Sequence, residues 1–454
     1  MNKKIVFSLV VFALTNCVFA GGILENTNQS INFLRNPARD AAIATDGVYC
    51  NPAGVAFMDE GWHMQFNWMM VHQDRDTWSG YELPGFGNLL PYNAEKPTTA
   101  ASNFRRKYEG DVNVPFQPSL FLVYNRNAWS FHFGFGFVGG GGGCEFKDGL
   151  GSFESLAALS GIKTLADNGM MMQNYTIETY MKGTSYDLGF TIGAARKFSN
   201  KLSGYLGLRS IVLLNKYEGY MRNISYTATN GFTAKGNDLL LDCKQNAFGL
   251  APILGIDYMP NEKWNFALKY EMRTKLTAKT SADNNEAFNQ LAAKSDNFKA
   301  YSDGAETPQD LPAYLTFGIQ YSPISSLKLS GGYHRYFDAD TRQYSQEKVD
   351  DTNEMTLGVE YKFNKTIEAS CGMQKTWYHV SDDFNNDANF ILNSYTLGCG
   401  VGINVAKNIK INVAYFQTNY KNKEITATDA NGMTSYIKYR RTNRLLGLGI
   451  DIDF

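Results

Sequence analysis

Four cations could hold an anionic headgroup on one inner surface: Arg209, Lys269, Arg273 and Lys328. Where strands are read by two-residue alternation, each shares a face with small and polar neighbours, opposite the large apolar ones. Glu271 and Glu360 fall on the same face, so these cations could instead neutralise the carboxylates or hold a neighbouring segment. The five histidines, His63, His72, His132, His334 and His379, have no metal-ligand spacing, and none lies near a Gly-x-Ser-x-Gly elbow. Beyond Cys17, the cysteines Cys50, Cys144, Cys243, Cys371 and Cys399 are odd in number and widely spread. They form neither a disulfide framework nor a zinc pattern, although a Cys144 to Cys243 bridge between loops stays open. The expectation is a protein without catalytic machinery, metal or cofactor, which cleavage of a lipid or peptide reporter would reverse.

Composition says what kind of scaffold must position these groups. Of 454 residues only 19% are charged while 14% are aromatic, with 27 Tyr, 30 Phe and 42 Gly. The 43 basic and 44 acidic residues give a formal charge of -1, too little to recruit nucleic acid. A mean hydropathy of -0.32 argues against both a disordered chain and a bundle of membrane helices. At the N-terminus, Lys3 and Lys4 precede the apolar run Ile5 to Leu14, and Val18-Phe19-Ala20 ends it as a secretory cleavage site requires. Residues 1–20 read as a signal peptide; a lipoprotein site at Cys17 is the weaker reading because Asn16 precedes it poorly. Cleavage leaves a formal charge of -3.

From Gly61 onward one pattern repeats: ten to fifteen residues alternating apolar with polar or small, then a turn or a long polar loop. Trp62, Met64, Phe66, Trp68 and Met70 alternate with His63, Gln65, Asn67 and Met69, and Trp129, Phe131, Phe133, Phe135 and Phe137 with Ser130, His132, Gly134 and Gly136. Strands are expected at about 62–73, 114–124, 128–138, 181–197, 202–217, 243–259, 264–277, 313–322, 327–337, 353–363, 366–378, 392–406, 409–420 and 441–454. Six connections among these fourteen are tight and seven are long. An even strand count with segregated turn lengths predicts an all-β, antiparallel transmembrane barrel over residues 61–454, with its long loops extracellular. A soluble sandwich has no reason to segregate its connections this way.

Residues 21–60 lack strand alternation, and a barrel of this size is too wide to be filled by its own wall side chains. They are the available plug. Within them Asp46-Gly47-Val48-Tyr49-Cys50-Asn51-Pro52-Ala53-Gly54 resembles the hatch motif of the FadL-type outer-membrane transporters of long-chain fatty acids and hydrocarbons. Asp310-Leu311-Pro312-Ala313 with Leu315-Thr316-Phe317-Gly318 and the Ser322-Pro323 turn is similar to a second signature of that family. A third lies around Met259-Pro260, and Phe454 matches the final aromatic read by the barrel assembly machinery.

The resemblance spans the mature chain and places the hatch motif on Asn51, Pro52 and Ala53. It implies a monomeric barrel of the Gram-negative outer membrane, surrounded by lipid, that takes up hydrophobic small molecules such as fatty acids and releases them sideways through a kink in strand three. Gly134, Gly136 and Gly139, the last opening a run to Gly143, are the candidate kink residues. A near-helical stripe including Phe153, Leu156 and Leu159, followed by Met171, could collect alkyl chains outside or pack on the barrel rim. A water-filled diffusion porin and a surface adhesin are the alternative functions.

Overall fold

The computed structural model describes residues 28–83, 87–88, 105–429 and 432–454; the expected signal peptide and the first seven residues of the plug lie outside them. Fourteen long strands form the wall: β1 (Gly61–Leu83), β2 (Arg106–Arg126), β3 (Trp129–Phe146), β4 (Met172–Lys197), β5 (Leu202–Ala228), β6 (Leu239–Asn261), β7 (Trp264–Glu271), β8 (Ala313–Ile324), β9 (Leu327–Phe337), β10 (Thr352–Lys362), β11 (Ile367–Trp377), β12 (Ser394–Ala406), β13 (Ile409–Tyr420) and β14 (Thr434–Asp453). Each pairs antiparallel with the next, and β14 returns to β1 from His63↔Asp453 to Glu82↔Thr434, closing the sheet. Closure gives every wall strand a partner on both sides, as a lipid-embedded sheet requires.

The short connections share one end of the barrel with Gly61 and Phe454. Between β2 and β3 the turn is two residues, and Asn127 takes φ 54 there, a left-handed conformation that Asn tolerates. Several strands outrun their expected ends on the long-loop side: β1 reaches Leu83, and β3 continues through all five glycines to Phe146. One is shorter. The chain leaves the ladder after Glu271, makes a single bridge at Thr274↔Leu311, and re-pairs as a separate strand, Thr277–Ala282.

Alternation sets the two faces. On β1, Trp62, Phe66, Trp68 and Met70 are exposed on the outer surface while His63, Gln65 and Asn67 are buried in the lumen. The same polarity runs along β14, with Leu446 and Leu448 outward and Gly447 and Gly449 inward. Apolar side chains outside and polar ones inside are the reverse of a soluble core, and identify a wall built for lipid.

Residues 28–58 fill the lumen at the short-turn end. A five-residue helix, α1 (Ile31–Arg35), is capped by Ser30, whose Oγ accepts from Asn32 N at 3.1 Å. Its Ile31, Phe33 and Leu34 pack against Met69, Ala414, Phe416 and Leu445 of the wall. Inner glycines make room: a Cβ on Gly447 would stand 2.3 Å from Ile31, and one on Gly358 only 1.7 Å from Asn36. A second helix, α2 (Gly151–Asp167), lies across the opposite mouth.

Candidate functional site

Besides the break beyond Glu271, the ladder is interrupted between β2 and β3. Their ladder runs from Arg126↔Trp129 to Leu120↔Phe135, stops, and resumes only at Val112↔Cys144. Residues 113–119 of β2 therefore face residues 136–143 of β3 without pairing. Both sequences explain the break. β2 carries Pro115 and Pro118, which have no N–H to give a ladder, and β3 carries Gly136 and Gly139 to Gly143. Gly140 and Gly141 take φ 63 and 106, and the register of β3 against β4 shifts at Phe137/Gly139 and Gly140/Gly142.

At the start of the gap the register would set Pro118 opposite Phe137. Proline cannot serve that carbonyl. Gln29 of the lumen segment does so instead: its Nε2 donates to Phe137 O at 2.9 Å and its Oε1 accepts from Phe137 N at 3.0 Å. The Gln29 carbonyl accepts from Ser119 Oγ at 3.0 Å. One buried residue thus bridges both edges of the gap.

Behind the gap lies a cavity of about 320 Å³. Gly139 to Gly142, Val112, Val114 and Phe137 form its side, Gln29 its floor, and Leu150, Ala388 and Ile391 of the long loops its roof. Two guanidiniums line it: Arg75 stacks over Phe390 at 4.3 Å and Arg441 over Tyr420 at 4.6 Å. Gln73, Gln117 and Asn443 add neutral polar groups, and Asp187 and Asp310 two carboxyls, the second held by Arg342. The surroundings suit an amphiphile with one polar end.

The four cations expected to meet a headgroup lie elsewhere and are engaged. Arg209 donates to Glu271 at 2.9 Å and Thr191 at 2.9 Å. Lys269 donates to Tyr49 O at 2.7 Å and lies over the Tyr314 ring. Lys328 faces Glu360 at 3.5 Å. Arg273 is off the lumen face altogether, because β7 ends two residues earlier; its guanidinium donates to Asp340 O. Arg75 lies two residues beyond the expected end of the first strand and Arg441 is the first residue of the expected last one; both sit well inside longer strands here.

Asn51 holds the lumen segment to the wall. Its Nδ2 donates to Asp257 Oδ2 at 2.6 Å, Asn265 donates to the same oxygen at 2.9 Å, and Asn51 Oδ1 accepts from Gly54 N at 3.2 Å. Pro52 and Ala53 pack toward Gly255, and Ala53 O accepts from Ser203 Oγ at 2.7 Å. Two further anchors precede it. Arg35 reaches Asn412 at 2.6 Å and Glu368 at 2.9 Å, and Asp40 sits 2.8 Å from His334, whose other nitrogen is 2.6 Å from Glu354. Gly134 and Gly136 leave room for Val48 and Gln29. Within the segment, burial works against the Arg39 charge, but Asp46, 2.8 Å away, offsets this and raises its pKa.

Leu156 and Leu159 turn into the barrel beside Tyr108, Tyr175 and Tyr226, with Phe153 half-buried at their edge, while Met171 is 56% exposed. Arg106 grips α2 through Glu154 at 2.6 Å; burial lifts the Glu154 carboxyl to about 7 against the opposing pull of Arg106. No cysteine bridge forms between Cys144 on β3 and Cys243 on β6, since two strands separate them.

A closed fourteen-stranded barrel holding its own N-terminal segment, with a glycine break in the third strand, matches a known architecture. A FadL homologue of Pseudomonas aeruginosa superposes with a TM-score of 0.65 over 95% of this chain and 100% of its own, at 12% identity. The toluene transporter TodX of Pseudomonas putida gives 0.55 at 13% identity, covering 95% of this chain and 100% of that one. TbuX of Ralstonia pickettii, also a toluene transporter, gives 0.53 at 14%, with 94% and 99% covered. The chain has the FadL-type fold. No family model and no curated protein matches its sequence.

Proposed function

We propose that this barrel resides in the outer membrane of a Gram-negative cell and takes up hydrophobic molecules, foremost long-chain fatty acids. Ligand gathers at the loops near Met171, enters the cavity, and leaves sideways into lipid between β2 and β3 once Gln29 withdraws. The observation that supports this reading is the gap itself: an unpaired stretch of wall, facing the cavity and bridged by Gln29 of the lumen segment. The hatch turn Asn51 to Ala53 is the hinge-side anchor, and Gly134, Gly136 and Gly139 allow the wall to part.

The guanidiniums favour an anionic amphiphile over the neutral toluene named for the solved relatives, because charge-assisted hydrogen bonds to a carboxylate orient it. Alkyl burial supplies the remaining affinity, about 0.8 kcal/mol per CH₂. Uptake of labelled long-chain fatty acid by cells expressing the chain tests the proposal. Accumulation above the level of cells lacking the chain is expected; equal accumulation refutes it. In planar bilayers the filled lumen predicts little steady conductance, whereas open-pore conductance favours a diffusion porin.

A further inference from the structure

Cys371 on β11 and Cys399 on β12 are direct cross-strand partners, and both are exposed on the lipid-facing side of the wall. Their position in the ladder is fixed by neighbouring bonds. Asn404 N donates to Thr366 O, which makes the even residues of β11 the hydrogen-bonded partners of β12, so the Cys371↔Cys399 pair is non-hydrogen-bonded. Such pairs are the closer kind, with Cα atoms about 4.5 Å apart. A disulfide needs about 4.4–6.8 Å between Cα atoms and side chains on one face. Both conditions are met here.

We propose that these thiols form a disulfide that staples β11 to β12. The inference rests on the proposed export, since an oxidising compartment is required. Before the wall enters lipid, the Cys371 thiolate attacks a disulfide of a periplasmic oxidant protein, forming a mixed disulfide. The Cys399 thiolate then attacks Cys371 Sγ, the protein disulfide forms, and the oxidant leaves as its dithiol carrying both protons. The bond ties together two strands whose connecting loop helps to roof the cavity. The loop between the two strands supplies Ala388 and Ile391 of the roof, while Gly372 and Gly398 on the inner face lie against Pro37 and Leu34 of the lumen segment.

The test uses the full chain, fractionated from cells, acid-quenched, and labelled under denaturing conditions with a maleimide polymer before and after reduction. Three of the five thiols, Cys50, Cys144 and Cys243, are expected to label before reduction and all five after it. A non-reduced digest should yield one linked peptide joining Cys371 to Cys399. Protein in the outer membrane with five labelled thiols, or with either residue joined to another cysteine, overturns the staple while leaving the transport reading intact. Protein retained in the cytoplasm overturns the export reading and the staple with it. Reduction should also lower the temperature at which the barrel loses its folded gel mobility, and Cys371→Ala with Cys399→Ala should abolish that shift. A shift of equal size in the double variant overturns the staple as its source.

Discussion

Replacing Gln29 with alanine removes the one side chain, among the described residues, that serves both backbone groups of Phe137. The parent makes two bonds there, at 2.9 and 3.0 Å, between a buried Gln29 and a half-buried Phe137. A buried polar group left without a partner costs about 1–3 kcal/mol. Because the cavity adjoins this site and admits some water, the pair together should cost about 2–4 kcal/mol of gap closure, which at 1.4 kcal/mol per decade is roughly 30- to 700-fold. Pro118 cannot take over the lost donor, so the wall has no local repair. Hydrogen exchange of the protein in lipid nanodiscs reads this directly. Protection of the Phe137 amide should fall by at least roughly 30-fold while Val123, in the intact part of β2, keeps its own. Ligand efflux into lipid should quicken as the gap opens more often. Unchanged protection at Phe137 would refute the reasoning, because the bridge would then contribute nothing to closing the wall.

Arg75→Gln with Arg441→Gln should raise KM for a long-chain fatty acid roughly tenfold or more while leaving toluene uptake unaltered, a split that competition assays resolve. Asn51→Ala leaves the buried Asp257 carboxyl one donor short; the barrel should still fold, with about 1–3 kcal/mol lost from docking of the lumen segment. Altered uptake with normal folded gel mobility is the expected pair of readouts, as also for deletion of residues 22–50. Glu154, ordinarily near 4.5 and lifted to about 7 by burial, binds its proton more tightly when α2 is docked. Docking is thus strongest below about 4.5 and weakens as pH rises through 7. Limited proteolysis of residues 147–171 should accelerate across that window, and Glu154→Gln should flatten the profile.

Much of the architecture was legible in the sequence because a lipid-facing wall imposes a period of two that nothing else overrides. The outward row of Trp62, Phe66, Trp68 and Met70 and the tight turns at Asn127 and Asn364 follow from local rules of pleat and turn. The kink was half legible. Gly139 to Gly143 advertised a weakened ladder, yet the same run also fits the start of a loop, and Pro115 and Pro118 on the facing strand decide between them only once β2 and β3 lie side by side. Parity misplaced Arg273, because it assumes an unbroken strand and β7 ends at Glu271. Parity put Arg209 and Lys269 on the lumen side but could not show that Glu271 and Tyr49 already occupy them.

By itself, then, the sequence determined the barrel, its inside-out polarity and the presence of a segment to fill it. These depend on short-range alternation and on counting. Only the tertiary structure decided that Gln29 faces Phe137, that Arg75 and Arg441 share one cavity, and that Cys371 lies beside Cys399. Each joins residues far apart in the chain, through a ladder register and a plug position that no local pattern encodes.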